Sequence, residues 1–253
     1  MIDPNLFTDP QALDRVLHRT TRLDAGQVRF DRTAGMNSLF ITAVEFGDVC
    51  REYPIVFVDA GKGPDGQQEV APMAVLGLQQ GENLMLGPDG VWGARYVPAV
   101  LRAYPLAVVP VDATSYAVCI DAKAGLTAET GERLFDDSGE PTAFLTERRA
   151  FVEEIEREAQ RTRLLGRRLI ELELLRSMRF DATLPDGKQL SVDGFLALDD
   201  EKLAALPDAT VVELQRSGVL GLINAHQISL GLMRALVERR LALAARAAPV
   251  ASA

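Results

Sequence analysis

Six residues between positions 82 and 104 gather charge, amide and aromatic groups: Glu82, Asn83, Trp92, Tyr96, Arg102 and Tyr104. Trp92 is the single tryptophan of the chain. An arginine among aromatic faces suits a ligand pocket or a partner surface. Glu82 and Arg102 offer a charge pair beside those rings. The same set also fits a packing role, in which Trp92 and the tyrosines close the edge of a core and find hydrogen bonds there. The sequence leaves both readings standing.

A second, weaker candidate is His226 with Asn224 and Ser229. A serine three residues after a histidine can share its helical face. Nucleophilic catalysis would also need an exposed serine, an orienting acid and an oxyanion hole. No G-x-S-x-G elbow is present, and a histidine on an apolar face reads as a hydrogen-bonded core residue. The acid pairs Asp136–Asp137 and Asp199–Asp200 read as turn and capping groups. The glycine-rich run Gly61 to Gly66 lacks the Ser/Thr and lysine spacing of a phosphate loop. Two histidines and two distant cysteines, Cys50 and Cys119, make neither a zinc site nor a disulfide framework. No catalytic residue, metal or cofactor is expected.

Composition narrows the function classes. The chain has 253 residues, 47% hydrophobic and 25% charged, with a net charge of −9. An acidic chain argues against a nucleic-acid surface. The one basic run, Arg161, Arg163, Arg167 and Arg168, reads as the solvated side of a helix. Residues 1–20 show no leader-like apolar run, and no stretch of about 18 apolar residues marks a membrane span. The expected compartment is the cytoplasm, with leaderless export left open. The expected partner is a protein or peptide, and a homo-oligomer is also left open.

The elements that must position these residues follow from pattern. Ala43 to Glu52 reads as a helix ended by Tyr53-Pro54, and Ile55 to Val58 as a buried strand. Met73 to Leu78 is a further strand, Asn83 to Leu86 a short one, and Val97 to Tyr104 a short helix with Pro98 near its start. Leu106 to Val111 and Tyr116 to Asp121 read as a hairpin. From about 142 to 176 the period becomes helical, as one long amphipathic helix or two broken near Gly166. Phe180 to Leu184 and Gln189 to Val192 flank Pro185-Asp186-Gly187, a second hairpin signal. Short helices begin at Asp199 and Asp208, and Val219 to Ala245 is the last helix. A strand is also expected near Val28 to Phe30, and the terminal APVASA should fray. The fold expected is α+β: a strand-rich, mostly antiparallel part with short helices over 1–141, then a helical part with a hairpin near 180–192 over 142–253.

Several of these segments resemble a known family. EFGDVCREYPIVFV (Glu45 to Val58), AVLGLQQGENLML (Ala74 to Leu86) and WGARYVPAVLRAYP (Trp92 to Pro105) are similar to segments of the bacterial SapC family. So are Cys119-x-Asp121, Leu134-Phe135 with Gly139-Glu140-Pro141, Val192 to Phe195, and Gly218 to His226. Leu106 departs from the family's usual phenylalanine. The family takes its name from a surface-array locus, so the resemblance implies a surface-layer or export-associated role and supplies no catalytic residues. Three readings follow. The first is a non-enzymatic binding or accessory protein. The second is an enzyme acting on peptides or small molecules at an unrecognised site. The third is a structural surface-layer component.

Overall fold

The computed structural model describes residues 3–24, 30–63, 65–111, 115–124 and 129–247. Among the described residues, ten strands run in chain order: β1 (Pro10–Ala12), β2 (Arg22–Leu23), β3 (Ser38–Phe40), β4 (Ile55–Lys62), β5 (Gln68–Val75), β6 (Leu106–Pro110), β7 (Tyr116–Asp121), β8 (Glu132–Arg133), β9 (Leu175–Thr183) and β10 (Gln189–Leu198). The helices are α1 (Phe46–Val49), α2 (Ala99–Ala103), α3 (Ala143–Glu171), α4 (Asp200–Ala204), α5 (Asp208–Arg216), α6 (Val219–Ser229) and α7 (Leu232–Ala247). The protein is α+β: the N-terminal half is strand-rich with short helices, and the C-terminal region is helical with a β-hairpin. The chain interleaves two compact units. One comprises Met1–Thr33 with Ala99–Ala159, the other Ala34–Pro98 with Gln160–Ala253. The change near residue 141 is a change of element type, where Pro141 and Thr142 lead into α3.

The first unit is built on a three-stranded antiparallel sheet, β1-β7-β6. The β6–β7 hairpin supplies alternating inward residues, Leu106, Val108 and Ile120, and the first half of α3 adds Leu145 and Val152. Leu134 and Phe135 join them in the core. Leu23 of β2, which pairs with β8, completes the cluster.

The second unit carries a five-stranded antiparallel sheet in the order β3-β5-β4-β10-β9. Ile55, Val56 and Phe57 of β4 are all buried, as a continuous apolar run in a central strand requires. Phe46 packs near Phe57, with ring centroids 6.5 Å apart. Met233 and Leu236 of α7 and Ile223 of α6 are buried in the same unit. Asp199 caps α4 by accepting from the N–H groups of Glu201 and Lys202.

Several elements differ from pattern. Asn83 to Leu86 forms no strand; only a single bridge joins Leu86 to Trp92, because Asn83 Oδ1 takes the Met85 N–H in a local turn. Of the two readings for α3, the single helix holds: it runs unbroken through Gly166, where the missing side chain admits the backbone of Val70, and a Cβ would lie 2.7 Å from the Val70 carbonyl oxygen. The last helix is two, divided at Leu230–Gly231. Pro207, not Asp208, is the N-cap of α5. Phe30 opens a 3-10 turn, Phe30–Thr33. The rest of the strand expected there, and the segment 248–253, lie outside the described residues.

Candidate functional site

Glu82, Asn83, Trp92 and Tyr96 belong to the second unit, and Arg102 and Tyr104 to the first. Glu82 pairs with Arg240 of α7, Oε1 to Nε at 3.1 Å, so the charge pair expected with Arg102 is replaced by one from a helix 158 positions away. Its other oxygen accepts the N–H of Leu78 at 2.9 Å. Gly77 makes this loop possible, since a Cβ there would sit 2.0 Å from the Glu82 carbonyl oxygen. The LGL and ENL segments are thus one tightly closed turn.

Trp92 is 7% exposed. Its indole N–H donates to the hydroxyl of Tyr53 at 2.8 Å. Tyr53 is fully buried, and its hydroxyl donates to the carbonyl of Tyr96; desolvation pushes this phenol well above its ordinary pKa. The Tyr96 hydroxyl donates in turn to Glu45 Oε1 at 2.9 Å. Glu45 is itself buried and takes the Thr42 N–H and hydroxyl on its second oxygen. This chain of bonds ties the 92–96 loop to the sheet from inside, and a buried network of this kind fixes one arrangement of the backbone.

In the first unit Tyr104 donates to Asp121 Oδ2 at 2.8 Å, and its ring meets Phe7 edge-on at 5.3 Å. Asp121 is fully buried. It also accepts the N–H groups of Thr8, Asp9 and Lys123, and faces Arg32 at 3.4 Å. Desolvation, the largest influence, pushes its pKa up, but the combined hydrogen bonds outweigh it and hold the carboxyl below the ordinary value. Asp121 therefore anchors the N-terminal segment. Arg102 lies over the Phe151 ring at 5.2 Å, and Arg148 also faces that ring, at 5.7 Å.

His226 and Ser229 occupy a gap in the second unit's sheet. β4 and β10 pair directly only at Phe57 and Leu196. Continuing that register sets Ile55 opposite Leu198. There the strands part, and the imidazole stands between them: His226 Nδ1 lies 2.8 Å from the Ile55 carbonyl oxygen, and Nε2 lies 3.2 Å from the Leu198 nitrogen. Since Leu198 can only donate, Nε2 accepts and Nδ1–H donates, which fixes the neutral tautomer. The Ser229 hydroxyl accepts the Ile55 N–H at 2.8 Å and donates to the His226 carbonyl at 2.6 Å. Two side chains of α6 thus replace one rung of the ladder. Burial lowers the His226 pKa to about 4.

The first unit also carries a cleft of about 650 Å³ that pattern reading did not find. Leu13, Val118, Phe135 and Leu145 give it an apolar floor, Tyr116 one wall, and Arg15, Arg149 and Glu153 its rim. Arg149 pairs with Glu153 at 2.7 Å. Arg15 makes no ion pair among the described residues. Beside it, an Asx turn at Asp14 leaves Val16 and Leu17 more than three-quarters exposed. The one legible signal was this pair of apolar residues in a polar lead-in.

The arginines read as a basic run are largely matched: Arg167 pairs with Asp65 and Glu69, and Arg168 with Glu171 and Glu213. Both cysteines are free thiols. Among the described residues, no group of His, Cys, Asp and Glu is placed to hold a metal ion, and no helix is long and apolar enough to cross a membrane.

No curated protein and no solved structure matches the chain. The family model described as SapC matches residues 13–236. With nearly the whole sequence covered, the chain belongs to the SapC family.

Proposed function

We propose that the protein is a non-enzymatic binding protein that takes an extended apolar segment of another protein, carrying an acidic residue, into the cleft of the first unit. The cleft itself carries this reading: it is open, floored by aliphatic and aromatic side chains, and rimmed by a guanidinium, Arg15, with no ion-pair partner of its own among the described residues. Apolar pockets with a few placed polar groups are the usual form of a peptide or small-ligand site. The commitment of His226 and Ser229 to the backbone supports binding over nucleophilic catalysis. The biological setting we attach to it, surface-layer or export biology, rests on the family name alone.

The test is selection from a random peptide library on the full chain. Peptides combining bulky apolar residues with an acid should be enriched. Ala150→Trp, from an exposed position of α3 that lines the cleft, and Arg15→Glu should each lose them while keeping the wild-type melting temperature. Absence of enrichment, or binding unchanged in both variants, rejects the proposal.

A further inference from the structure

Strand β9 ends the five-stranded sheet, and it is nine residues long. Two bonds set its direction. The Leu184 N–H reaches the Lys188 carbonyl, and the Asp199 N–H reaches the Leu174 carbonyl, each at 2.8 Å. Backbone groups alternate sides along a strand. Residues 176, 178, 180 and 182 therefore bond β10, and the N–H and C=O groups of Leu175, Ser177, Arg179, Asp181 and Thr183 point away from it. No backbone group of these five bonds another element among the described residues, while the Asp181 and Thr183 side chains reach Ser191 and Gln189 of β10 and Arg179 pairs with Asp181 within its own strand at 2.9 Å. An edge of this length presents a template for one more strand.

The side chains say which strand fits. Met178, Phe180 and Ala182 share the half-buried face, and Ser177, Arg179, Asp181 and Thr183 share the exposed one. The order Arg179-Phe180-Asp181 is self-complementary about Phe180. If a second β9 runs antiparallel with Phe180 on the two-fold axis, Arg179 of each copy lies opposite Asp181 of the other. Ser177 then meets Thr183, and Met178 meets Ala182. The outward-pointing backbone groups fall opposite one another in the same register, since 179 meets 181 and 177 meets 183. Centring the axis on Arg179 or on Asp181 would instead set like charges face to face, which is unfavourable.

We propose that two copies of this chain associate through β9, joining their sheets into one antiparallel sheet across a two-fold axis. A closed isologous pairing of this kind uses the same edge on both copies and leaves neither open.

Analytical ultracentrifugation of the full chain tests it. The wild type should show a monomer–dimer equilibrium. Arg179→Asp and Asp181→Arg each place like charges opposite one another and should weaken dimerisation about tenfold or more. The double variant with both substitutions restores opposite charges and should recover the dimer. An equimolar mixture of the two single variants should form a heterodimer, because only the mixed pair is complementary. Ser177→Pro removes an outward N–H without touching the β9–β10 ladder and should also give monomer. Circular dichroism confirms the fold of each variant. A monomeric wild type, single variants that dimerise like the wild type, or a mixture that stays monomeric would each overturn the proposal; the first leaves the edge to a strand from another protein.

Discussion

The sharpest consequence of the fold is a pH-dependent stability centred on His226. The imidazole is fully buried and bridges Ile55 and Leu198 in one tautomer. Protonation would set an N–H on Nε2 against the Leu198 N–H and place an uncompensated charge inside the sheet. Its pKa accordingly falls from 6.5 to about 4. In the unfolded chain the same residue takes a proton near pH 6.5, so between about 6.5 and 4 the unfolded state binds one proton more than the folded state. Stability therefore rises with pH through this window. The stabilisation is fully present above the unfolded value and lost on acidification, and its full size is about 3 kcal/mol. The assay is urea unfolding followed by Trp92 fluorescence, which reports the unit that holds His226, at a series of pH values from 4 to 8. Carboxylates add their own slope at the acidic end, so the decisive comparison is with His226→Gln. This variant should be less stable at neutral pH by about 2–3 kcal/mol, since one amide cannot serve both backbone groups. It should also lack the slope between about pH 6.5 and 4.5. Equal slopes in the two proteins would show that His226 is not held neutral and that the bridge between the strands is misassigned.

Three further outcomes follow from the same packing. Tyr53→Phe removes the hydrogen bonds that its hydroxyl makes with the Trp92 indole and the Tyr96 carbonyl, and should cost about 2–4 kcal/mol in the same urea assay. Gly77→Ala drives a methyl into the Glu82 carbonyl and should lower stability by about 2 kcal/mol or more, read as a drop in melting temperature. Asp121→Asn should cost about 3 kcal/mol at neutral pH. Because the native carboxyl is held below its ordinary value, the wild-type advantage should shrink as pH falls through the unfolded value near 4, and calorimetry across that range checks it.

The local half of this fold is written in short-range chemistry. Pro185-Asp186-Gly187 turns the β9–β10 hairpin, Asp199 caps α4, and the helical period after Pro141 becomes α3. Each depends on residues within a few positions of one another, so each could be read in order. Where the pattern left a choice or misled, the structure shows why. Gly166 stays inside α3, its missing side chain letting the backbone of Val70 come close, and the chain from Asn83 to Leu86 is taken from strand to turn by the Asn83 side chain.

Over 82–104 the sequence showed charge, amide and aromatic groups close together in the chain, and it showed the resemblance to the family. It could not say which partner each group would take. Glu82 found Arg240, Tyr104 found Asp121, and Trp92 found Tyr53, across separations that no spacing rule encodes. His226 and Ser229 looked like a helical pair facing each other, whereas both reach across to strands more than 25 positions away. The cleft was invisible because its floor is drawn from four separate segments, each of which looks like ordinary core. By itself the sequence determined most of the elements, the hairpin turns and the α4 cap, and the family, since these depend on backbone preference and apolar period. Only the tertiary structure decided which polar groups brace the fold and which surfaces remain open, because a buried hydrogen bond or a concave surface exists only once distant segments meet.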